Sequence, residues 1–156
     1  MKKAQNRSDL NNCDFTLPRS KILRGKRNFE RLFHKSTVLS NQSIQFRYRL
    51  YQNPSEGCLI GFVAPKKRIR SAVKRNRIKR ILREAYRLNQ NYFSDLFNKN
   101  TFGLHAVFMT NSDEMSYERA EKEMLPILEK ARERFMEFEK RRVGFSSESP
   151  RNESEQ

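Results

Sequence analysis

The sequence predicts an α+β sandwich, one small mixed sheet packed with helices, in a single domain. Three observations predict it. Residues Ser43 to Tyr51 alternate, with Ile44, Phe46, Tyr48 and Leu50 on one face and Gln45, Arg47, Arg49 and Tyr51 on the other, the pattern of a half-buried strand. Beyond Pro65 the apolar residues change to helical spacing. The 156 residues, 36% of them hydrophobic, suffice for one modest core with chain left over for tails.

Residues 1–14 are polar and without period and read as an N-terminal tail; ordered structure is expected over residues 15–138. Lys26 to Lys35 sets Phe29, Leu32 and Phe33 at i, i+3 and i+4, one stripe of a short helix. There is room for an extra short strand before Ser43–Tyr51. Asn53-Pro54-Ser55-Glu56-Gly57 is turn chemistry, so Cys58 to Ala64 is expected to return as the second strand of a pair. A helix starting near Ser71 carries Ile78, Ile81, Leu82, Ala85 and Leu88 on its apolar stripe. A polar, asparagine-rich connection leads to a strand at Leu104 to Thr110, and Ser116 to Phe138 reads as a long helix that Pro126 should kink or split. Residues 139–156 drift into Ser and Glu and read as a C-terminal tail.

A formal charge of +15 exceeds what solubility requires and implies a polyanionic partner, nucleic acid or an acidic membrane surface. Its distribution is uneven. Residues 1–65 carry 12 basic and 4 acidic groups, residues 66–87 carry 11 and 1, and residues 88–156 carry 10 and 13. The excess is therefore a local binding device, and the C-terminal third reads as electrostatically ordinary. No apolar run approaches the ~20 residues of a membrane span, and Met1-Lys2-Lys3 leads into polar residues, so a cytoplasmic protein is expected. Cys13 and Cys58 are far apart and form no Cys-x-x-Cys pair, which argues against a zinc site or disulfide framework.

The informative run is Lys66-Lys67-Arg68-Ile69-Arg70-Ser71-Ala72-Val73-Lys74-Arg75-Asn76-Arg77-Ile78-Lys79-Arg80-Ile81-Leu82-Arg83-Glu84. A solvated helix face would mix charges of opposite sign at i, i+4, yet this one holds a single carboxylate. Phosphates are the anions that repay such crowding, since each one neutralised releases counterions.

At this run the chain resembles the protein subunit of bacterial ribonuclease P. The likeness rests on the Lys-Lys pair ending a strand, then Ala72-Val73, then Arg75-Asn76-Arg77-Ile78-Lys79-Arg80 and Arg83-Glu84. It extends more loosely over residues 15–138. The resemblance implies a sandwich whose helix crosses between parallel strands with the rare left-handed sense, where the element order alone would suggest right-handed. It implies that catalysis belongs to an RNA subunit, which with metal ions hydrolyses precursor tRNA at the mature 5′ end. No cofactor and no catalytic or metal-ligating residue is then expected on the protein, with Mg2+ expected in the RNA-containing holoenzyme. Arg75, Asn76, Arg77, Lys79, Arg80 and Arg83 would engage the catalytic RNA, and Lys66 and Lys67 would add positive field. Phe29 and Phe33 match the aromatic positions of a cleft for the single-stranded 5′ leader, and Arg47 falls where it could floor that cleft, at a position where some relatives carry an aromatic residue. The partners implied are the RNA subunit and precursor tRNA, with no membrane and no protein partner.

Two other readings compete. A basic ribosomal protein would share the composition but does not require the ordered Lys66–Glu84 run together with the Phe29/Phe33 helix. A nuclease with a protein-borne site would need clustered carboxylates or a histidine acid and base. His34 and His105 lack matching partner motifs, and acidic residues are sparse in the basic region.

Overall fold

In a computed structural model that describes residues 16–155, with side chains through Arg142, the alternation at Ile44–Tyr51 builds one strand of a four-stranded sheet. The strands are β1 (Thr37–Asn41), β2 (Ile44–Tyr51), β3 (Cys58–Val63) and β4 (Gly103–Thr110), and the helices are α1 (Lys26–His34), α2 (Ala72–Asn89), α3 (Asn91–Asn98) and α4 (Tyr117–Glu155). The sheet order is β1-β2-β4-β3, with β1/β2 and β2/β4 antiparallel and β3/β4 parallel. The α+β class with a mixed sheet is as the sequence predicts, and β1 is the short strand for which there was room.

The pairing of the second and third strands is not as expected. β3 does not pair with β2, because β4 lies between them. The reason is polarity: β4 is buried along nearly its whole length, on both faces, and a strand apolar on both sides belongs in the middle of a sheet.

One face of the sheet takes α2, α3 and α4. Phe46 on β2 and Phe93 on α3 meet Phe135 of α4, and Phe108 on β4 packs on Phe46, all fully buried, with ring centroids 4.6 Å apart for Phe46 and Phe108 and 5.0 Å for Phe93 and Phe135. The asparagine-rich connection is in fact helical, as α3 buries Phe93 and Leu96. Only eight residues long, it shows too little period to be read alone. α4 is continuous through Pro126 and past Phe138. Pro126 and Lys122, whose carbonyl loses its partner, are both exposed, so water can satisfy the freed oxygen. The segment read as a C-terminal tail opens inside the fold, since Glu139 accepts hydrogen bonds from Thr101 at 2.7 Å and Lys99 at 3.3 Å. The N-terminal tail, residues 1–14, lies outside the described residues.

Glu123 ties α4 to the β1–β2 turn. It is 1% exposed, and its carboxylate accepts from Ser43 N at 2.8 Å, Ser43 Oγ at 2.7 Å and Arg119 Nε at 2.7 Å. Burial raises its pKa, but these bonds together hold it below the usual value.

Candidate nucleic-acid interface

The basic helix begins at Ser71, whose hydroxyl caps it by accepting from Lys74 N at 3.3 Å. Before it, Pro65 O accepts from Arg68 N and Ile69 N at 3.2 and 2.9 Å, and Ile69 plugs into the core. That anchored turn holds Lys66 and Lys67 out in solvent. Arg75 Nη1 donates to Ile69 O and Arg70 O at 2.9 and 2.8 Å, so part of this arginine is spent on fixing the connection into the helix.

Asn76, Lys79, Arg80 and Arg83 recur at i, i+3, i+4 and i+7 and share one flank of α2. With Leu23, Phe29 and Phe62 they line a groove of about 340 Å³. Arg83 also donates to Leu17 O at 3.4 Å. Arg77 diverges onto another flank, beside Lys74 and Arg119. The single carboxylate, Glu84, is engaged by Arg87 at 2.6 Å, which holds its pKa below the usual range. It leaves the charge of the stripe uncompensated.

Among the described residues, α1 is the helix that packs on the other face of the sheet. Leu32 is fully buried against Leu23 and Val107, with Phe29 packed beside them. Gly61 permits this approach: a Cβ there would meet Leu23 Cβ at 3.3 Å and Phe29 Cζ at 3.4 Å. Phe33, one turn on, is 43% exposed, and the two rings lie near parallel with centroids 6.3 Å apart. The register sets Val38, Arg47, Val107 and Gly61 in one row across the sheet. The Arg47 guanidinium lies 5.8 Å from the Phe33 ring centroid, while its buried Nε has no hydrogen-bond partner among the described residues. The structure thus separates the two phenylalanines, Phe29 as a wall shared with the core and Phe33 as an open ring above Arg47.

A polar cluster that sequence reasoning missed holds α1 down. Arg31 donates to both Glu56 oxygens, at 3.1 and 3.3 Å, and its guanidinium lies 4.9 Å from the Tyr51 ring centroid. Arg49 lies at the same distance from that ring and donates to Arg31 O at 3.2 Å. The Arg31 bond holds the Glu56 carboxyl below its usual pKa. One signal was available, since Glu56 is one of only 4 acidic residues in the first 65. His105 is 2% exposed, with Nε2 3.1 Å from Glu56 O. Burial holds its pKa below the ordinary value and closes it to solvent-borne substrate, while His34 stands exposed at the end of α1. Cys58 donates to Phe102 O at 3.7 Å and is pushed up to about 11 by burial, consistent with an inert strand thiol. Among the described residues no three His, Cys, Asp or Glu side chains could together hold a metal ion, and no helix is long and apolar enough to cross a membrane.

A cation-rich helix and an aromatic helix meet at one groove on the mixed sheet of an α+β protein, a candidate surface for nucleic acid. The family described as Ribonuclease P matches residues 17–132, and the chain belongs to that family. The ribonuclease P protein component of Finegoldia magna is 33% identical over 117 residues, covering 74% of this chain and 94% of the relative. That of Pelotomaculum thermopropionicum is 30% identical over 112 residues, 70% of this chain and 91% of the relative. The component from Porphyromonas gingivalis is 50% identical over 50 residues, which span 32% of this chain and 36% of the relative. The fold is also that of the Thermotoga maritima ribonuclease P protein, with a TM-score of 0.54 and 22% identity over 70% of this chain and 96% of that one. The Staphylococcus aureus protein gives 0.53 and 18% over 71% and 94%. Membership of that family over residues 17–132 separates the chain from the ribosomal alternative.

Proposed function

We propose that the protein binds the catalytic RNA of ribonuclease P through Asn76, Lys79, Arg80 and Arg83, and the 5′ leader of precursor tRNA through Phe33, Phe29 and Arg47. It thereby assists RNA-catalysed hydrolysis that frees the mature tRNA 5′ end, in the cytoplasm, with Mg2+ held by the RNA. Lys66, Lys67 and Arg77 add field at the margins, and Arg75 holds the helix in place while keeping donors for phosphate. The observation that supports this reading is the groove in which the α2 stripe and Phe29 face each other. RNA phosphates held by α2 and leader bases laid on α1 would share one continuous surface.

Stacking on an open ring tolerates any base and is worth ~1–3 kcal/mol per base. Phe33→Leu keeps apolar volume and loses the flat face. In holoenzyme it is expected to weaken binding of precursor tRNA with a leader of about four nucleotides roughly fivefold, and to leave a one-nucleotide leader unaffected. Because Phe33 is 43% exposed, the melting temperature should barely move. Equal loss on both substrates would return the ring to a packing role.

A further inference from the structure

On the far side of β1, the end of β2 and the helix α4 enclose a second groove, of about 540 Å³, that neither the basic run nor the aromatic helix accounts for. β1 stops pairing at Thr37 opposite Tyr48, so among the described residues β2 runs on through Tyr51 without a strand neighbour on that edge. One wall is the Lys35–Thr37 link, and the other is α4, with Arg134, Phe138 and Arg141 at i, i+4 and i+7. Among the described residues lining it are four cations, Lys35, Arg49, Arg134 and Arg141, and no carboxylate. Arg141 is near Glu137 at 3.7 Å, both largely exposed. Lys35, Arg49 and Arg134 enter none of the ion pairs within 4.0 Å found among the described residues.

This is not the general character of α4. Its opposite flank mixes Asp95, Glu133, Glu137 and Glu139 with Lys99, Arg132 and Lys140, and Arg132 is bound to Asp95 at 2.7 Å. Cations gathered on one flank, with only the exposed Arg141–Glu137 pair as counter-charge, repel each other, and an external polyanion relieves that. Arg134, Phe138 and Arg141 also fall beyond residue 132, where the family match ends.

We infer that this groove holds the 5′-distal nucleotides of a single-stranded leader, gripping the sugar–phosphate backbone after it has passed Phe33. The inference rests on the leader reading above. Continuity favours the leader as occupant. Lys35 follows Phe33 by two residues at the end of α1, and Arg49 follows Arg47 by two on the same face of β2, about 7 Å along the strand. A chain laid over Phe33 and Arg47 therefore has cations at its next step in both directions that lead to the groove. Half-buried Phe138 and the buried Tyr48 ring shape its wall. Backbone contacts of this kind require no sequence preference, which suits leaders that differ from one tRNA to another.

The test is the double variant Arg134→Gln, Arg141→Gln, assembled with the catalytic RNA and compared with wild type on leaders of about four and about twelve nucleotides. Both arginines are exposed, so melting should not change. The expected result is about tenfold weaker binding of the long leader only, with the slope of log K against log salt shallower by about 1.4, or 0.7 for each contact to a single strand. Affinity of the protein for the catalytic RNA alone should be unchanged. No loss, equal loss on both leaders, or weakened binding of the catalytic RNA would overturn the inference, the last by assigning the groove to that RNA. Phe33→Leu run in parallel separates the two readings. If it weakens the four-nucleotide leader while the arginine variant changes nothing, the groove alone fails; if Phe33→Leu also leaves every leader unaffected, the leader reading falls with it.

Discussion

Replacing Lys79, Arg80 and Arg83 together by glutamine is expected to weaken binding of the catalytic RNA roughly 100-fold at moderate salt, at about 1 kcal/mol for each lost charge-assisted contact. The three share the flank of α2 that faces Phe29, and the nearby Glu84 is already held by Arg87, so their field acts outward. The slope of log K against log salt should become shallower by about 2.7, taking for each phosphate contact the ~0.9 that holds for duplex DNA. Arg75 is a poorer probe despite its place in the run. Its bonds to Ile69 O and Arg70 O mean that Arg75→Ala loosens the entry to the helix as well as removing charge. A loss of affinity without the change in salt dependence would mean that the stripe acts through folding.

The second large effect is on stability. Phe135→Ala should cost about 3–5 kcal/mol and lower the melting temperature by roughly 10–20 °C. The ring is fully buried and touches Phe46, Tyr48, Phe93, Phe97 and Phe102, so one truncation opens a cavity where β2, α3 and α4 meet. Thermal unfolding followed by circular dichroism measures it. A shift of only a few degrees would mean that α4 contributes little to the core.

Much of the fold was legible because its strong elements are long and periodic. The stripe of Ile78, Leu82 and Ala85 faces the core as spaced, and the alternation in β2 buries Ile44, Phe46 and Tyr48 and turns Gln45, Arg47 and Arg49 outward, fading at Leu50, which is only partly buried. What escaped depends on contacts between distant residues. Nothing local in Leu104–Thr110 says that it inserts between β2 and β3, although its apolar character on both faces is the physical reason that it does. α3 is short and polar on one side, so its two buried residues acquire meaning only against Phe46 and Phe135. Local sequence likewise does not show that Glu139, the first residue read as tail, accepts from Thr101 and Lys99, 38 and 40 residues away.

Within the site, the cations were readable as a group and not as individuals. Spacing along a helix separates Asn76, Lys79, Arg80 and Arg83 from Arg77 once an axis is known, but assigning Arg75 to its own connection needs the turn at Pro65. Charge counting also concealed the second groove. The C-terminal third is acidic on balance, yet Arg134 and Arg141 stand seven residues apart and join Lys35 and Arg49 from sequence-distant elements. Net charge by segment cannot register a flank assembled across the fold.

The central claim is that the protein supplies binding and the RNA supplies chemistry. The direct measurement is cleavage of precursor tRNA at low magnesium by the cognate catalytic RNA, with and without the purified, RNA-free protein, alongside the protein alone. The account predicts that protein and RNA together release the leader at the mature 5′ end, that RNA alone is slow at that magnesium concentration, and that protein alone is inert. Specific 5′ cleavage by the RNA-free protein would contradict it.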